Sequence, residues 1–159
     1  MSSNLRILHW KELPEAVTCR PQLLEEQEIM GVRNLMGVNG AGIHAVQAGI
    51  SSNYFLIRGD PAVYCNCKYR DAGAGKIISE ESCLSIPWED HIPHPTLFPV
   101  FPVIRYREII LEGEKLLFVR GKRKISKINL HIGYPLSIVF QHETDHGLGI
   151  LINKEKTCY

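Results

Sequence analysis

The residues best suited to chemistry lie in the run Gln141-His142-Glu143-Thr144-Asp145-His146. Two histidines four positions apart share one face of a helix, so both rings can reach one metal ion. Glu143 sits beside them, where it can touch a water without being a ligand. Histidines at this spacing also serve in plain packing or capping. Here, however, Leu136, Ile138, Val139 and Phe140 lead into the motif and predict a buried helix. His, Glu, Asp and His buried together are costly unless something neutralises and satisfies them, and a metal does so. Two imidazoles leave a zinc-like site one protein ligand short. Cys83, in Glu80-Glu81-Ser82-Cys83-Leu84-Ser85, is one source of that ligand. Its plain alternative is a small buried hydrophobe, as most free cysteines are. Cys65 and Cys67 are rivals, but on one strand they would share a face and pack. A third segment, Gly40-Ala41-Gly42-Ile43-His44-Ala45-Val46-Gln47, combines glycines that permit close backbone approach with an amide donor. It lacks the Gly-Lys-Ser/Thr ending of a phosphate loop.

The elements that must position these residues follow from pattern and punctuation. Apolar residues at 23, 24, 29, 30, 32 and 35 predict a helix over 21–36, with Glu25, Glu26 and Glu28 outward and glycines at 37, 40 and 42 ending it. Tyr54–Ile57 and Ala62–Tyr64 read as short strands around the turn Gly59-Asp60-Pro61. The proline-bearing stretch 93–102 should be extended, at a sheet edge or in a loop. Strands follow at 103–106, 108–111 and 116–119, with a turn at Glu112-Gly113-Glu114. Pro135 suits the first turn of a helix running to His146, which Gly147 and Gly149 end. This order gives an α+β domain, with largely antiparallel sheets packed around a central helix that carries His-Glu-x-x-His.

Composition narrows the classes. The 159 residues fit one domain, 1–159, and are 45% hydrophobic and 22% charged, with a formal net charge of +1. That charge argues for no specific nucleic acid and for no acidic partner. The basic run Arg120-Gly121-Lys122-Arg123-Lys124, with Lys127, reads first as a solvated hairpin and second as a weak phosphate contact. No apolar run approaches the roughly 18 residues of a membrane span, and the N-terminus lacks a secretory h-region. The five cysteines are scattered and odd in number, which fits a reducing cytoplasm rather than a disulfide framework.

Together the segments GAGIHAVQ at 40–47, ESCLS at 81–85 and HETDH at 142–146 resemble the three motifs of peptide deformylases, in the same order. Those motifs are G-x-G-x-A-A-x-Q, E-G-C-L-S and H-E-x-D-H, and the likeness runs from about Leu5 to about Ile152. The resemblance implies removal of the formyl group from formyl-methionine at the start of nascent peptides, with release of formate. It makes Cys83, His142 and His146 ligands of one divalent metal, with Fe2+ expected and Zn2+ or Ni2+ able to substitute. It makes Glu143 the general acid/base, and Gln47 and the Leu84 N–H the donors to the developing oxyanion. Ile138 and Val139, with Ala41 and Gly42, would line the substrate pocket.

Three departures stand out. His44 and Ser82 occupy positions where the family has Ala and Gly. His94 falls where the family's V-x-R arginine would pair with Glu81. The chain also ends soon after the metal helix, so it resembles short phage-encoded or divergent bacterial members without the C-terminal helix implicated in ribosome docking. The expected partners are N-formyl-methionyl peptides, with weak or no ribosome docking, no membrane and a monomeric state. Two other readings share the motifs. A zinc peptidase would take His, Glu or Asp in place of Cys83, and a peptide-binding relic of the family would bind without turnover.

Overall fold

The computed structural model describes residues 5–86 and 98–153. Helix α1 spans Glu26–Leu35 and helix α2 spans Leu136–Gly147. The strands are β1 (Gly42–His44), β2 (Tyr54–Ile57), β3 (Val63–Asp71), β4 (Lys76–Glu81), β5 (Phe101–Tyr106), β6 (Glu108–Val119) and β7 (Lys122–Gly133). A five-stranded sheet has the order β1-β2-β3-β6-β7, and β4 and β5 form a separate pair. Every pairing is antiparallel. The fold is therefore α+β, with α2 packed against strands of both sheets.

Strand β2 shows why the large sheet is apolar on both faces. All four of its residues are buried. Tyr54 and Leu56 join α1 residues Ile29 and Val32 in one core. Phe55 and Ile57 join Phe140 of α2 in a second. Alternation across the pleat sends neighbours to opposite faces, and here a helix covers each face. The aromatic centre of the second core is ordered by geometry, with Phe140 edge-on to Tyr64 at 4.9 Å and Phe55 stacked on Tyr64 at 5.4 Å.

Three local expectations change. The helix expected over 21–36 divides: Pro21–Leu23 is a short 3-10 turn, Leu24 is extended, and the α-helix starts only at Glu26. Leu24 is buried in the first core. The turn expected at 112–114 does not exist, since β6 runs straight through to Val119. Gly113 serves close approach instead. A Cβ there would sit 2.8 Å from Cys67 Sγ and 2.9 Å from the Cys65 carbonyl oxygen. The real reversal is Arg120-Gly121, both at positive φ, which matches the twist of a two-residue hairpin.

The third change concerns Cys65 and Cys67, which do not share a face. Asn66 has φ +53°, and the β3–β6 register shifts between Cys65 and Lys68. This bulge adds a residue and turns the strand over. Cys65 consequently lies in the core under α1 and Cys67 in the core under α2. In the basic hairpin, Arg123 donates to the Leu24 carbonyl and to Glu25, so it ties β7 to the segment before α1.

Candidate active site

Helix α2 enters the interior with its polar face buried: Gln141, Glu143, Thr144, Asp145 and His146 are all at most 5% exposed. Beside it, β4 ends at Glu81 and the chain turns through Ser82-Cys83-Leu84, placing Cys83 on the face of the helix that carries the histidines. Cys83 Sγ lies 3.4 Å from His146 Nε2. The ligand atoms of Cys83, His142 and His146 all fall within 4.8 Å of one another. A thiol and two imidazoles converging this closely, all of low exposure, fit a divalent ion, with an opening left on the cleft side.

The ring orientation of His142 is set from behind. Its Nδ1 meets Glu81 Oε2 at 2.9 Å, which leaves the other nitrogen toward Cys83. Glu81 is itself held by Arg105, whose Nε and second guanidinium nitrogen donate at 2.7 and 2.8 Å to its two oxygens. The remaining guanidinium nitrogen donates to Asp145, which also accepts from the Tyr69 hydroxyl at 2.9 Å. Asp145 is thus a buried ion-pair partner of Arg105.

Charge follows from this network. Burial works against the Glu81 carboxylate, but the hydrogen bonds from Arg105 and His142 outweigh it and bring its pKa down to about 2. Burial likewise disfavours the His142 cation, yet Cys83 and Glu81 beside it raise its pKa well above the ordinary value. His146 is pushed well below that value by burial and by the positive groups around it, so its ring is neutral and a good donor to a metal. Glu143 is raised to about 7, chiefly by burial. Its Oε2 has no hydrogen-bond partner among the described residues.

Gln47 sits in a 3-10 turn, Ala45–Ala48, capped by His44. Its Oε1 accepts from the His44 N–H at 2.9 Å, which directs the amide nitrogen at Cys83 Sγ, 3.5 Å away, and at Ser85 Oγ, 3.3 Å away. Both ring nitrogens of His44 are taken up by neighbours. Its Nδ1 accepts from the Val46 N–H and its Nε2 meets Asn53 Oδ1, and burial lowers its pKa to about 4.

A cleft of about 200 Å³ opens over these groups. Ala41, Gly42, Gln47, Cys83, Leu84, Ile138, Val139, His142 and Glu143 all line it, while His146 lies beneath its wall. Gly42 brings β1 close to Glu143: a Cβ there would come within 2.7 Å of Glu143 Oε1, so the carboxylate would have to move. The residues that the resemblance implies for the pocket, the oxyanion donors and the acid/base all line this cleft, together with Cys83 and His142. Asn39 and Phe98 line the same cleft and carried no sequence signal.

Arg105 is the functional residue that the sequence reading misplaced. His94 lies outside the described residues, and the cation on Glu81 comes from β5, where Val103-Ile104-Arg105 itself spells V-x-R. The available clue was period: Arg105 shares a strand face with Val103, and an arginine on a buried face demands carboxylates.

Comparison with known proteins agrees with this geometry. A model of the family described as polypeptide deformylase matches residues 15–157. The chain belongs to that family. A peptide deformylase of Thermotoga neapolitana is 30% identical over 124 residues, 76% of this chain and 65% of that relative, so the match spans just under two thirds of the relative's length. Among solved structures, a deformylase from Thermotoga maritima is 24% identical with a TM-score of 0.62, covering 94% of this chain and 95% of that one. A Synechococcus elongatus deformylase, solved in complex with actinonin, is 22% identical with a TM-score of 0.68, covering 96% and 79%. A probable deformylase from Synechococcus phage S-SSM7 is also 22% identical, with a TM-score of 0.61, covering 93% and 97%. At these identities the solved structures establish the deformylase fold. No helix among the described residues is long and apolar enough to cross a membrane.

Proposed function

We propose that residues 1–159 act as a single deformylase domain that hydrolyses the N-formyl group of formyl-methionyl peptides. The observation that carries this reading is the convergence of Cys83, His142 and His146 beside a cleft lined by Cys83, His142, Glu143 and Gln47. The proposal assigns Cys83, His142 and His146 as ligands of one divalent ion, with Fe2+ expected and zinc or nickel able to substitute. When bound, that ion would supply Lewis acidity toward water and the formyl oxygen.

The chain's own residues do the rest. Glu143, raised to about 7 by burial, is matched to accepting a proton from water at neutral pH and to returning it to the leaving amine. The Gln47 amide and the Leu84 N–H act as donors to the oxygen that gains charge as the formyl carbon becomes tetrahedral, each such donor being worth roughly 2.7–4 kcal/mol. Gly42 keeps the backbone close enough for substrate to reach Glu143, and Ala41, Ile138 and Val139 present apolar surface to a methionine side chain. Glu81, clamped by Arg105, fixes the His142 ring. A cysteine in the ligand set favours this activity over a zinc peptidase.

The test is formate release from a formyl-Met peptide, with metal content measured on the same sample under anaerobic conditions. Turnover that scales with bound metal supports the proposal. Peptide binding with no formate release under any metal would sink it in favour of a binding relic.

A further inference from the structure

A buried tie runs from the turn that carries Gln47 to the end of helix α2, through His44, Asn53 and Gly147. His44 is 0% exposed and caps that turn. Its Nδ1 accepts from the Val46 N–H at 3.3 Å, so the ring proton stands on Nε2, which donates to Asn53 Oδ1 at 3.2 Å. Asn53 is pinned through its own backbone. Its N–H donates to the Val17 carbonyl at 2.8 Å, and its carbonyl accepts from the Asn66 N–H at 2.9 Å. The His44 ring is thus a strut between the turn and a fixed point just before β2.

The strut rests against α2. Gly147 is the last residue of that helix, next to His146, and its φ is not left-handed, unlike that of Gly149. Its backbone would therefore accept a side chain, but the space beside it would not. A Cβ there would stand 2.5 Å from Asn53 Oδ1 and 3.2 Å from His44 Nε2, so the Asn53 carboxamide would have to move. At its other end the turn holds Gln47, whose Oε1 accepts from the His44 N–H while its amide nitrogen faces Cys83 Sγ and Ser85 Oγ.

We propose that His44 is a positioning residue which, braced by Asn53 against Gly147, holds the Gln47 amide where charge develops on the formyl oxygen. The inference rests on the reading of Gln47 as an oxyanion donor. Without the ring, the His44 N–H still meets Gln47 Oε1, but the Val46 N–H loses its acceptor and the turn its strut. The amide is then free to swing away from the cleft. Such a change slows the reaction without weakening substrate binding, because the donor acts on charge present only in the transition state. The His44 ring also lies 6.3 Å from that of His146, centroid to centroid, so an effect through the candidate ligand is the rival to be separated.

The experiment compares wild type, His44→Ala, Gln47→Ala and the double variant in formate release from a formyl-Met peptide, with metal content measured on each sample. His44→Ala should lower kcat by roughly 3–30-fold, the range of one lost cap, with KM and metal content unchanged. In the Gln47→Ala background the same substitution should cost nothing further, since its effect passes through that amide. A loss of equal size in both backgrounds, a loss of metal, or an unchanged kcat would overturn the proposal. Where His44→Ala folds poorly, Gly147→Ala serves instead. It keeps His44 and Gln47, suits the helix and displaces the Asn53 carboxamide, so kcat should again fall; an unchanged kcat would count against the strut. Nitrogen-15 relaxation of the Gln47 side-chain amide in the zinc-loaded protein needs no turnover. Its order parameter should drop from about 0.85 in wild type to below about 0.6 in either variant. Equal mobility in wild type and variants would overturn the inference. A wild type that never releases formate, with the amide loosened in the variants as expected, would instead overturn the deformylase reading alone.

Discussion

Glu143 and Cys83 separate the two halves of the proposed chemistry, because one moves protons and the other holds the ion. Glu143→Ala should keep the metal, the fold and affinity for a formyl-Met peptide, while turnover falls by about 10²–10⁴-fold. A group used twice in one cycle belongs at the upper end of that range. Equal loss of metal and turnover in this variant would show that Glu143 is a ligand. Cys83→Ala should abolish tight binding of a divalent ion, read by elemental analysis, whereas Cys67→Ala should not, since Cys67 lies in a separate core. Full occupancy in the Cys83 variant would refute the assignment. At this scale the sequence was legible wherever spacing carries meaning. His142 and His146 four apart on a helix, and Cys83 in a short polar turn, meet as their types suggested. Arg105 was not legible as a site residue because its partners, Glu81 and Asp145, lie far from it in sequence.

Between elements, the guanidinium of Arg105 joins β4, β5 and α2 with its side chain only 3% exposed. Arg105→Met should cost about 3–5 kcal/mol, a fall of roughly 10 °C in melting temperature, because it takes the shared guanidinium from two buried carboxylates. The pH profile gives a second reading. The Glu81 pKa is depressed from 4.5 to about 2, so its stabilisation is fully present above pH 4.5 and is lost as pH falls toward 2. Burial raises the pKa of Asp145, which offsets part of that loss at the upper end. Urea unfolding between pH 2 and 7 should show the slope in wild type and a transition moved to higher pH in Arg105→Met. Superimposable profiles would mean that the pair contributes nothing. Gly42→Ala tests β1 against α2: with a Cβ 2.7 Å from Glu143 Oε1, the carboxylate must move, so kcat should drop while metal content and melting temperature stay near wild type. Unchanged kcat would show that Glu143 tolerates displacement.

Element boundaries also mark where local pattern stops being informative. The late helix was legible because Pro135, an apolar run and Gly147 agree on its limits. Gly113 was misread as a turn because a glycine demanded by a neighbouring strand looks, in sequence, like a glycine demanded by φ. Cys67 was placed on the wrong face because period two fails across a bulge, and nothing in Cys-Asn-Cys announces one.

Across the whole molecule, the candidate ligands belong to bodies that share no strand pairing. Cys83 follows β4 of the small sheet and both histidines ride on α2, while Gln47, the oxyanion donor, follows β1 of the large sheet. Behind them, the small sheet is tied to α2 through the Arg105–Asp145 ion pair, the contact of Glu81 with His142, and Gln141, which exchanges two hydrogen bonds with the Tyr106 backbone. An ion seated on Cys83 and the two histidines would thus act as a further rivet between α2 and the β4–β5 flap. Stripping it with a chelator should quicken amide hydrogen–deuterium exchange along β4 and β5 and leave the β6–β7 ladder at its former pace. Uniform exchange before and after would mean that the flap is already pinned. If the flap does loosen, loading the ion is also what draws the cleft to its working width, and the apo form should hold a peptide more loosely on a surface that has lost none of its side chains.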